Sequence, residues 1–360
     1  MIKKIILTNF KNHKNIEFVF DEINLIIGDN GKGKTSILEA IYFSNNLKSP
    51  FEIPVENLIN NFSENTLIRL EIEKDDLFFE IKIAIQKDTR KIKIFANNKQ
   101  VSKSELNKIL KYKTIFFSLL EINLIYLGPN LRRNFLDEIL ENAFEPFNKL
   151  KNNYSKIIKN RNKILKNIFD KKSGLDELKF WDDSFLEIAN EYYNYRVKIV
   201  DYIKNNINVI EDLLDNKYKL TFNYLTKVDL KDTKKSIKDY LGKNKDRDVF
   251  LGKTCIGPHL DDFNFDVNIE DNYYSSDNYL SRGENKTIIV GLKMLQISFL
   301  KELFPNNKII LLLDDLFAEL DKKHIGLILD NLSNNQSFIT AQFLPHFIED
   351  MEEINILKID

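Results

Sequence analysis

The sequence is poor in the residues that build disulfide frameworks and zinc sites. Among its 360 residues there is one cysteine, Cys255. A single thiol excludes a disulfide within the chain and any zinc site built on paired cysteines. Long apolar runs are also missing, because no stretch approaches the roughly 18 to 20 apolar residues of a membrane-spanning helix. We therefore expect a globular protein with no membrane partner.

Composition and charge set broad limits on function. Hydrophobic residues make up 43% of the chain, enough for a large core, and the length favours two or more domains or lobes. The segment Met1 to Asn9 has polar side chains where a signal peptide needs an apolar core, so we expect a cytoplasmic protein. The formal net charge of -1 neither requires nor excludes a polyanionic partner, because binding depends on how charge is distributed.

A glycine-rich segment matches the phosphate-binding pattern G-x-x-x-x-G-K-[ST]. It follows a strand-like run, Ile23 to Ile27, and precedes apolar residues at helical spacing, which is the context that the mechanism requires. The backbone N–H groups of such a loop face phosphate oxygens, while Lys34 reaches the outer phosphates and Thr35 can ligate Mg²⁺. The predicted nucleotide-binding residues are Gly28, Asp29, Asn30, Gly31, Lys32, Gly33, Lys34 and Thr35.

An apolar run, Ile309 to Leu313, leads directly into Asp314 and Asp315. This pattern resembles a Walker B strand, which would place Asp314 beside Mg²⁺ and Asp315 beside the attacking water. Alternatively, the two acids cap the helix that follows. The phosphate-binding loop elsewhere in the chain favours the metal site.

The segment Ser281-Arg282-Gly283-Glu284 precedes a run of good helix formers. It resembles the signature motif of ABC-type ATPases, in which a serine and a helix N-terminus face a nucleotide phosphate. A serine N-cap followed by a glycine turn is the alternative. The order of loop, signature, two-acid strand and Ala318 to Asp321 favours the signature, so Lys34, Asp315 and Ser281 are the predicted catalytic residues.

Two series of residues at helical spacing, Phe147 to Ile168 and Trp181 to Tyr202, flank Asp170 to Gly174 and predict a helical hairpin. The second arm would span about 50 Å if it is helical to Leu214. Arg161 falls within the first series.

Nine basic residues and one acid lie between Lys149 and Lys172. A DNA-binding surface and a solvated helix face both fit this run of charge. The predicted DNA contacts are Lys149, Lys151, Lys156, Lys159, Arg161 and Lys163.

Taken together, the motifs resemble the RecF family of DNA-repair ATPases. They follow the family's order over nearly the whole chain. The further segments that carry the resemblance are Leu7-Thr-Asn-Phe10-Lys11-Asn12, Phe116-Phe-Ser118, Gly128-Pro-Asn-Leu-Arg132-Arg133-Asn-Phe-Leu-Asp137 and Gly257-Pro-His259-Leu-Asp-Asp262.

The resemblance implies an α/β fold: an ABC-type (P-loop) ATPase head with a mixed sheet, and a helical second lobe that carries a helical-hairpin insertion. Residues 1–128 and 251–360 would form the two parts of the ATPase lobe, and residues 129–250 the helical lobe. The implied cofactors are ATP and Mg²⁺. The implied assembly is an ATP-dependent homodimer, in which Ser281 contacts the nucleotide held by the partner subunit's Lys34.

A RecF-like protein would bind double-stranded DNA near single-stranded gaps and help RecO and RecR load RecA during recombinational repair and replication restart. Its weak ATPase activity would reset the dimer. If Asp315 is the general base, it is one methylene shorter than the glutamate of most ABC ATPases. We therefore expect turnover below about 1 per second.

Three positions depart from the pattern of the family or its wider class. Glu284 replaces the usual glutamine after the signature glycine, which adds an anion close to phosphate. Leu260 replaces an arginine, and Gln342 stands where the wider class has a switch histidine. His346, nearby, is interpreted as a surface or half-buried histidine.

Two other functions fit the same motifs. One is an ABC-type ATPase subunit of a nuclease or defence system, although the length leaves no room for a nuclease domain in this chain. The other is a nucleotide-gated scaffold that binds only proteins. Salt-sensitive binding of duplex DNA would distinguish a DNA-binding switch from a scaffold.

Overall fold

The computed structural model divides the chain into two compact units. The first comprises Met1–Ile122 and Leu300–Asp360, and the second comprises Asn123–Phe299. The residues that the structure describes are 1–74, 77–110, 112–118, 121, 123–315, 325–326, 328, 335–344 and 354–359. Within these residues no helix is long and apolar enough to cross a membrane.

An antiparallel sheet forms one half of the first unit, with strand order β2-β1-β4-β5-β6-β7. Apolar residues alternate along its strands, so that Ile68, Leu70 and Ile72 of one strand are buried while their neighbours are more exposed. Between residues 65 and 96 the chain forms an antiparallel meander of three strands. The strands are β1 (Ile2–Phe10), β2 (His13–Val19), β4 (Asn65–Lys74), β5 (Leu77–Gln86), β6 (Ile92–Ala96) and β7 (Lys99–Gln100).

A five-stranded sheet forms the other half, and every described pairing in it is parallel, in the order β14-β3-β13-β12-β8. Buried parallel strands read as continuous apolar runs, as Ile309 to Leu313 do. Helix α1 (Lys34–Asn46) follows β3, and α2 (Lys103–Leu110) begins after a capping box made by Ser102 and Glu105. The strands are β3 (Ile23–Ile27), β8 (Tyr112–Ser118), β12 (Lys308–Asp314), β13 (Gln336–Ala341) and β14 (Ile354–Lys358).

The second unit is mainly helical and includes an antiparallel sheet of order β11-β10-β9. The predicted hairpin is present as the helices Glu145–Phe169 and Leu175–Asn205, and a separate short helix, Ile207–Leu213, follows its second arm. The helices are α3 (Pro129–Ala143), α4 (Glu145–Phe169), α5 (Leu175–Asn205), α6 (Ile207–Leu213), α7 (Thr233–Lys243), α8 (Lys245–Leu251), α9 (Ser276–Tyr279) and α10 (Arg282–Leu303), and the strands are β9 (Lys219–Leu225), β10 (Asp262–Ile269) and β11 (Asn272–Ser275).

The boundaries of the units differ from those expected from the sequence. Residues 251–299, which were assigned to the C-terminal part of the ATPase lobe, lie in the helical unit. The reason is non-local strand pairing, since β10 pairs with β9 from Asp262 opposite Leu225 to Asn268 opposite Lys219. The pairing ties this segment to the helical part of the chain.

Candidate nucleotide-binding site

The predicted phosphate loop joins β3 to α1 at the carboxyl edge of the parallel sheet. Gly31 and Gly33 have φ values of 84° and 95°, which residues with a side chain rarely adopt. A Cβ atom on Gly33 would also collide with the side chains of Asn12 and His13. Glycine at position 33 is therefore required by the backbone and by its neighbours.

The turn between β1 and β2 supports this loop from the side. Asn12 donates its side-chain amide to the carbonyl of Gly31 at 3.3 Å, and His13 Nε2 lies 3.0 Å from the carbonyl oxygen of Gly33. Burial lowers the pKa of His13, which favours the neutral ring. Because a carbonyl oxygen only accepts hydrogen bonds, the contact with Gly33 places the ring proton on Nε2. In the sequence, Asn12 stands out only as part of a family segment, and no motif marks His13.

Lys34 is almost fully buried, and its ammonium lies against the loop. Its Nζ donates to the carbonyls of Gly28 at 2.6 Å and Asp29 at 3.2 Å. The α1 N-terminus and the backbone N–H groups of the loop add partial positive charge in the same place. This arrangement suits the phosphates of a nucleotide.

Thr35, Asp314 and Thr340 form a hydrogen-bonded group beside the loop. The Thr35 hydroxyl donates to Asp314 Oδ1 at 2.8 Å, and the Thr340 hydroxyl donates to the same oxygen at 2.9 Å. Burial raises the pKa of Asp314, the negative charge of Asp315 acts in the same direction, and the two hydroxyls oppose the increase. No sequence motif marks Thr340, which lies near the carboxyl end of β13.

A divalent cation fits this group, because Mg²⁺ prefers carboxylate and hydroxyl oxygens together with phosphate oxygens. A cation would also offset the cost of ionising the half-buried Asp314. The described residues contain no cluster of three or more His, Cys, Asp or Glu side chains that could hold a metal ion. Ligation of Mg²⁺ by Thr35 and Asp314 stays a prediction, which the hydrogen bond between these two side chains supports.

Asp315 turns the backbone out of β12. Its φ of 51° is unusual for a residue with a side chain, and its N–H donates to Thr340 Oγ1 at 2.9 Å. The structure thus brings Lys34, Thr35, Asp314 and Asp315 together in the first unit. Ala318 to Asp321 and His346, which the sequence analysis also noted, lie outside the described residues.

Ser281 lies in the second unit, immediately before α10, and forms a capping box with Glu284. Glu284 Oε2 accepts from the Ser281 N–H at 2.9 Å and from its hydroxyl at 2.7 Å, while Oε1 accepts from Tyr218 at 3.1 Å. Burial alone would raise the pKa of Glu284, but the hydrogen bonds from Ser281 and Tyr218 outweigh it and lower the pKa. Arg282 and Gly283 are exposed in the first turn of α10.

Two of the six predicted DNA contacts are engaged within the protein. Arg161 is 1% exposed and donates to Asp182, Asp248 and Thr254, so its assignment to DNA was wrong. Lys151 forms ion pairs with Glu141 at 2.9 Å and Asp137 at 3.4 Å. The remaining four are exposed on α4: Lys149, Lys156, Lys159 and Lys163.

Comparison with known proteins places these features in a family. A family model described as the RecF/RecN/SMC N terminal domain matches residues 1–358. The chain is 33% identical to the DNA replication and repair protein RecF of Agathobacter rectalis, over 99% of this chain and 96% of the relative. It is 30% identical to the protein of the same description from Lachnoclostridium phytofermentans, over 100% of this chain and 98% of the relative.

Two solved structures are also similar over most of their length. The recombination mediator protein RecF-ATPrS in the RecFOR pathway is 28% identical, with a TM-score of 0.83, covering 96% of this chain and 93% of that one. The structure described as RecF-ATP has a TM-score of 0.82 at the same identity, covering 96% of this chain and 92% of that one.

Removal of the Arg161 side chain should destabilise the fold. Arg161→Ala would leave Asp248, which is also 1% exposed, without its cationic partner. We expect the free energy of unfolding to fall by about 3–5 kcal/mol in urea denaturation, the usual effect of removing one partner from a buried ion pair. The control is Lys163→Ala on the exposed face of the same helix, which should change stability by less than about 0.5 kcal/mol. An Arg161→Ala protein as stable as the wild type would contradict this assignment.

Proposed function

This chain belongs to the RecF family, and we propose that it is an ATP-switched, dimeric DNA-repair ATPase. The observation that carries the proposal is the group formed by the phosphate loop, Thr35, Asp314 and Asp315 at one edge of the parallel sheet. Similarity to RecF proteins over nearly the whole chain supports the same function.

In the proposed site, residues Gly28 to Thr35 hold the phosphates of ATP. Lys34 binds the outer phosphates, and Thr35 and Asp314 hold Mg²⁺. When bound, Mg²⁺ neutralises charge on the phosphates of the nucleotide. Asp315 orients the attacking water and accepts its proton, and its short side chain supports slow turnover, below about 1 per second.

Ser281 completes the nucleotide site of a second copy of the chain. Its exposure and its position at the N-terminus of α10 suit contact with a phosphate from outside the subunit. Because the phosphate would bind both subunits, ATP acts as a ligand of the dimer, and its hydrolysis weakens the dimer. The protein then works as a switch.

The DNA-binding surface that we propose is the exposed face of α4. Lys149, Lys156, Lys159 and Lys163 are separated by seven, three and four residues, which places them on one side of the helix. Such a row suits a phosphate backbone. The ligand would be double-stranded DNA near a gap, and the proposed partners are RecR, RecO and RecA, consistent with the RecFOR pathway of the solved relatives.

Sedimentation with ATP and Mg²⁺ tests the switch. We expect the wild type to dimerise with ATP and to bind a gapped duplex, with affinity that falls steeply as salt increases. Lys34→Met should remain monomeric, because it lacks the cation that binds the outer phosphates. A wild type that stays monomeric with ATP and ignores DNA would contradict the proposal and favour a protein scaffold.

Glu284→Gln should strengthen the ATP-dependent dimer, because it removes an anion from the place where Ser281 would bind phosphate. We expect the dimer to tighten by about fivefold, equivalent to about 1 kcal/mol. The capping box of Ser102 and Glu105 has the same geometry at α2 and provides the control. Glu105→Gln should lose similar helix-capping stability without affecting dimerisation, as measured by sedimentation equilibrium. Equal dimer affinity in the wild type and Glu284→Gln would contradict this role of Glu284.

A further inference from the structure

A short turn, residues 123–127, begins the second unit. Four residues separate it in sequence from Ser118, the last residue of β8. Ser118 pairs in register with Asp314 of β12. The turn therefore follows β8 closely in the sequence, and β8 pairs with the strand that ends in the candidate metal ligand Asp314.

Arg132 holds this turn through its backbone. Its Nη1 donates to the carbonyls of Leu124 at 3.1 Å, Ile125 at 3.2 Å and Leu127 at 2.5 Å. Its Nε and Nη2 donate to the two carboxylate oxygens of Asp262 at 2.6 Å and 2.8 Å. A guanidinium bound on both sides in this way has little freedom, so three carbonyls of the turn are fixed to α3 and to the start of β10.

Tyr126, in the middle of the turn, reaches the signature segment. Asn285 donates its side-chain amide to the Tyr126 hydroxyl at 2.9 Å. The same nitrogen lies within hydrogen-bond distance of the carbonyls of Ser276, Leu280 and Ser281, at 3.0, 3.2 and 3.3 Å. Asn285 is 1% exposed, and the four oxygens around its amide nitrogen, which carries two hydrogens, fix which way the amide points.

The side-chain amide of Asn285 is held in one orientation at a cost in stability. Its Oδ1 is buried and has no hydrogen-bond partner in the described part of the chain, an arrangement that costs stability. The amide orientation is retained despite this cost. The gain is that Asn285 connects the Tyr126 hydroxyl to the backbone on either side of Ser281.

We propose that Tyr126, which lies in the turn that Arg132 fixes by hydrogen bonds, is a positioning residue for Ser281. It acts through Asn285, which fixes the backbone from which the Ser281 hydroxyl and the first N–H groups of α10 would meet a γ-phosphate. The inference rests on the proposed function, because it assumes that Ser281 binds the nucleotide of a second copy. A hydrogen bond to phosphate depends on placement within a fraction of an ångström, so a small displacement of Ser281 is costly.

Tyr126→Phe tests the inference, because it removes only the hydroxyl of a side chain that is 45% exposed. We expect the affinity of the monomer for a fluorescent ATP analogue to be unchanged, since Lys34 and its loop are untouched. The ATP-dependent dimer should weaken about fivefold to tenfold in sedimentation equilibrium. Tyr193→Phe, which also removes a hydrogen-bonded hydroxyl in the second unit, is the control and should dimerise as the wild type does.

A double-mutant cycle separates positioning from general loss of stability. In the Ser281→Ala background, Tyr126→Phe should cause no further weakening of the dimer, because its effect passes through Ser281. Equal dimerisation of Tyr126→Phe and wild type, or full additivity with Ser281→Ala, would overturn the inference while leaving the proposed function in place. Two results would overturn both the inference and the proposed function. One is a wild type that does not dimerise with ATP, and the other is a Ser281→Ala variant whose ATP-dependent dimer is as strong as that of the wild type.

Discussion

The shared direction of the strands in the parallel sheet is the constraint on which the candidate site depends. Because β3, β12 and β13 run the same way, their carboxyl ends meet at one edge. That edge carries the phosphate loop after Ile27, the acids at the end of β12, and Thr340. The hydrogen bonds from Thr35 and Thr340 to Asp314 then join three separate segments of the chain.

The electrostatics at this edge suit a nucleotide and a cation bound side by side. Burial disfavours the charge of Asp314, and Asp315 follows it directly, so the carboxylates gain from a nearby cation. Lys34 and the α1 N-terminus favour an anion a short distance away. A magnesium nucleotide satisfies both requirements. In the proposed dimer, the signature helix of a second copy adds further hydrogen-bond donors for the same phosphates.

Much of this arrangement could be predicted from the sequence where the signal was local. The loop has fixed spacing, and Ile309 to Leu313 read as a buried strand, so the nucleotide site followed from short segments. Non-local contacts could not be read in this way: the pairing of β10 with β9 moved residues 251–299 into the helical unit. Arg161 carries two conflicting signals in the sequence. Its charge suggested a contact with DNA, whereas its place in the helical series indicated the buried face of the helix.

In the proposed dimer, two copies of the chain share each nucleotide site. The ATPase rate of an equal mixture of Lys34→Met and Ser281→Ala, each expected to be inactive alone, measures this sharing directly. A mixed dimer has one site with both residues intact and one site with neither, so the mixture should regain ATPase activity, up to about half of the wild-type rate when every dimer is mixed. A mixture as inactive as either variant would contradict the shared site.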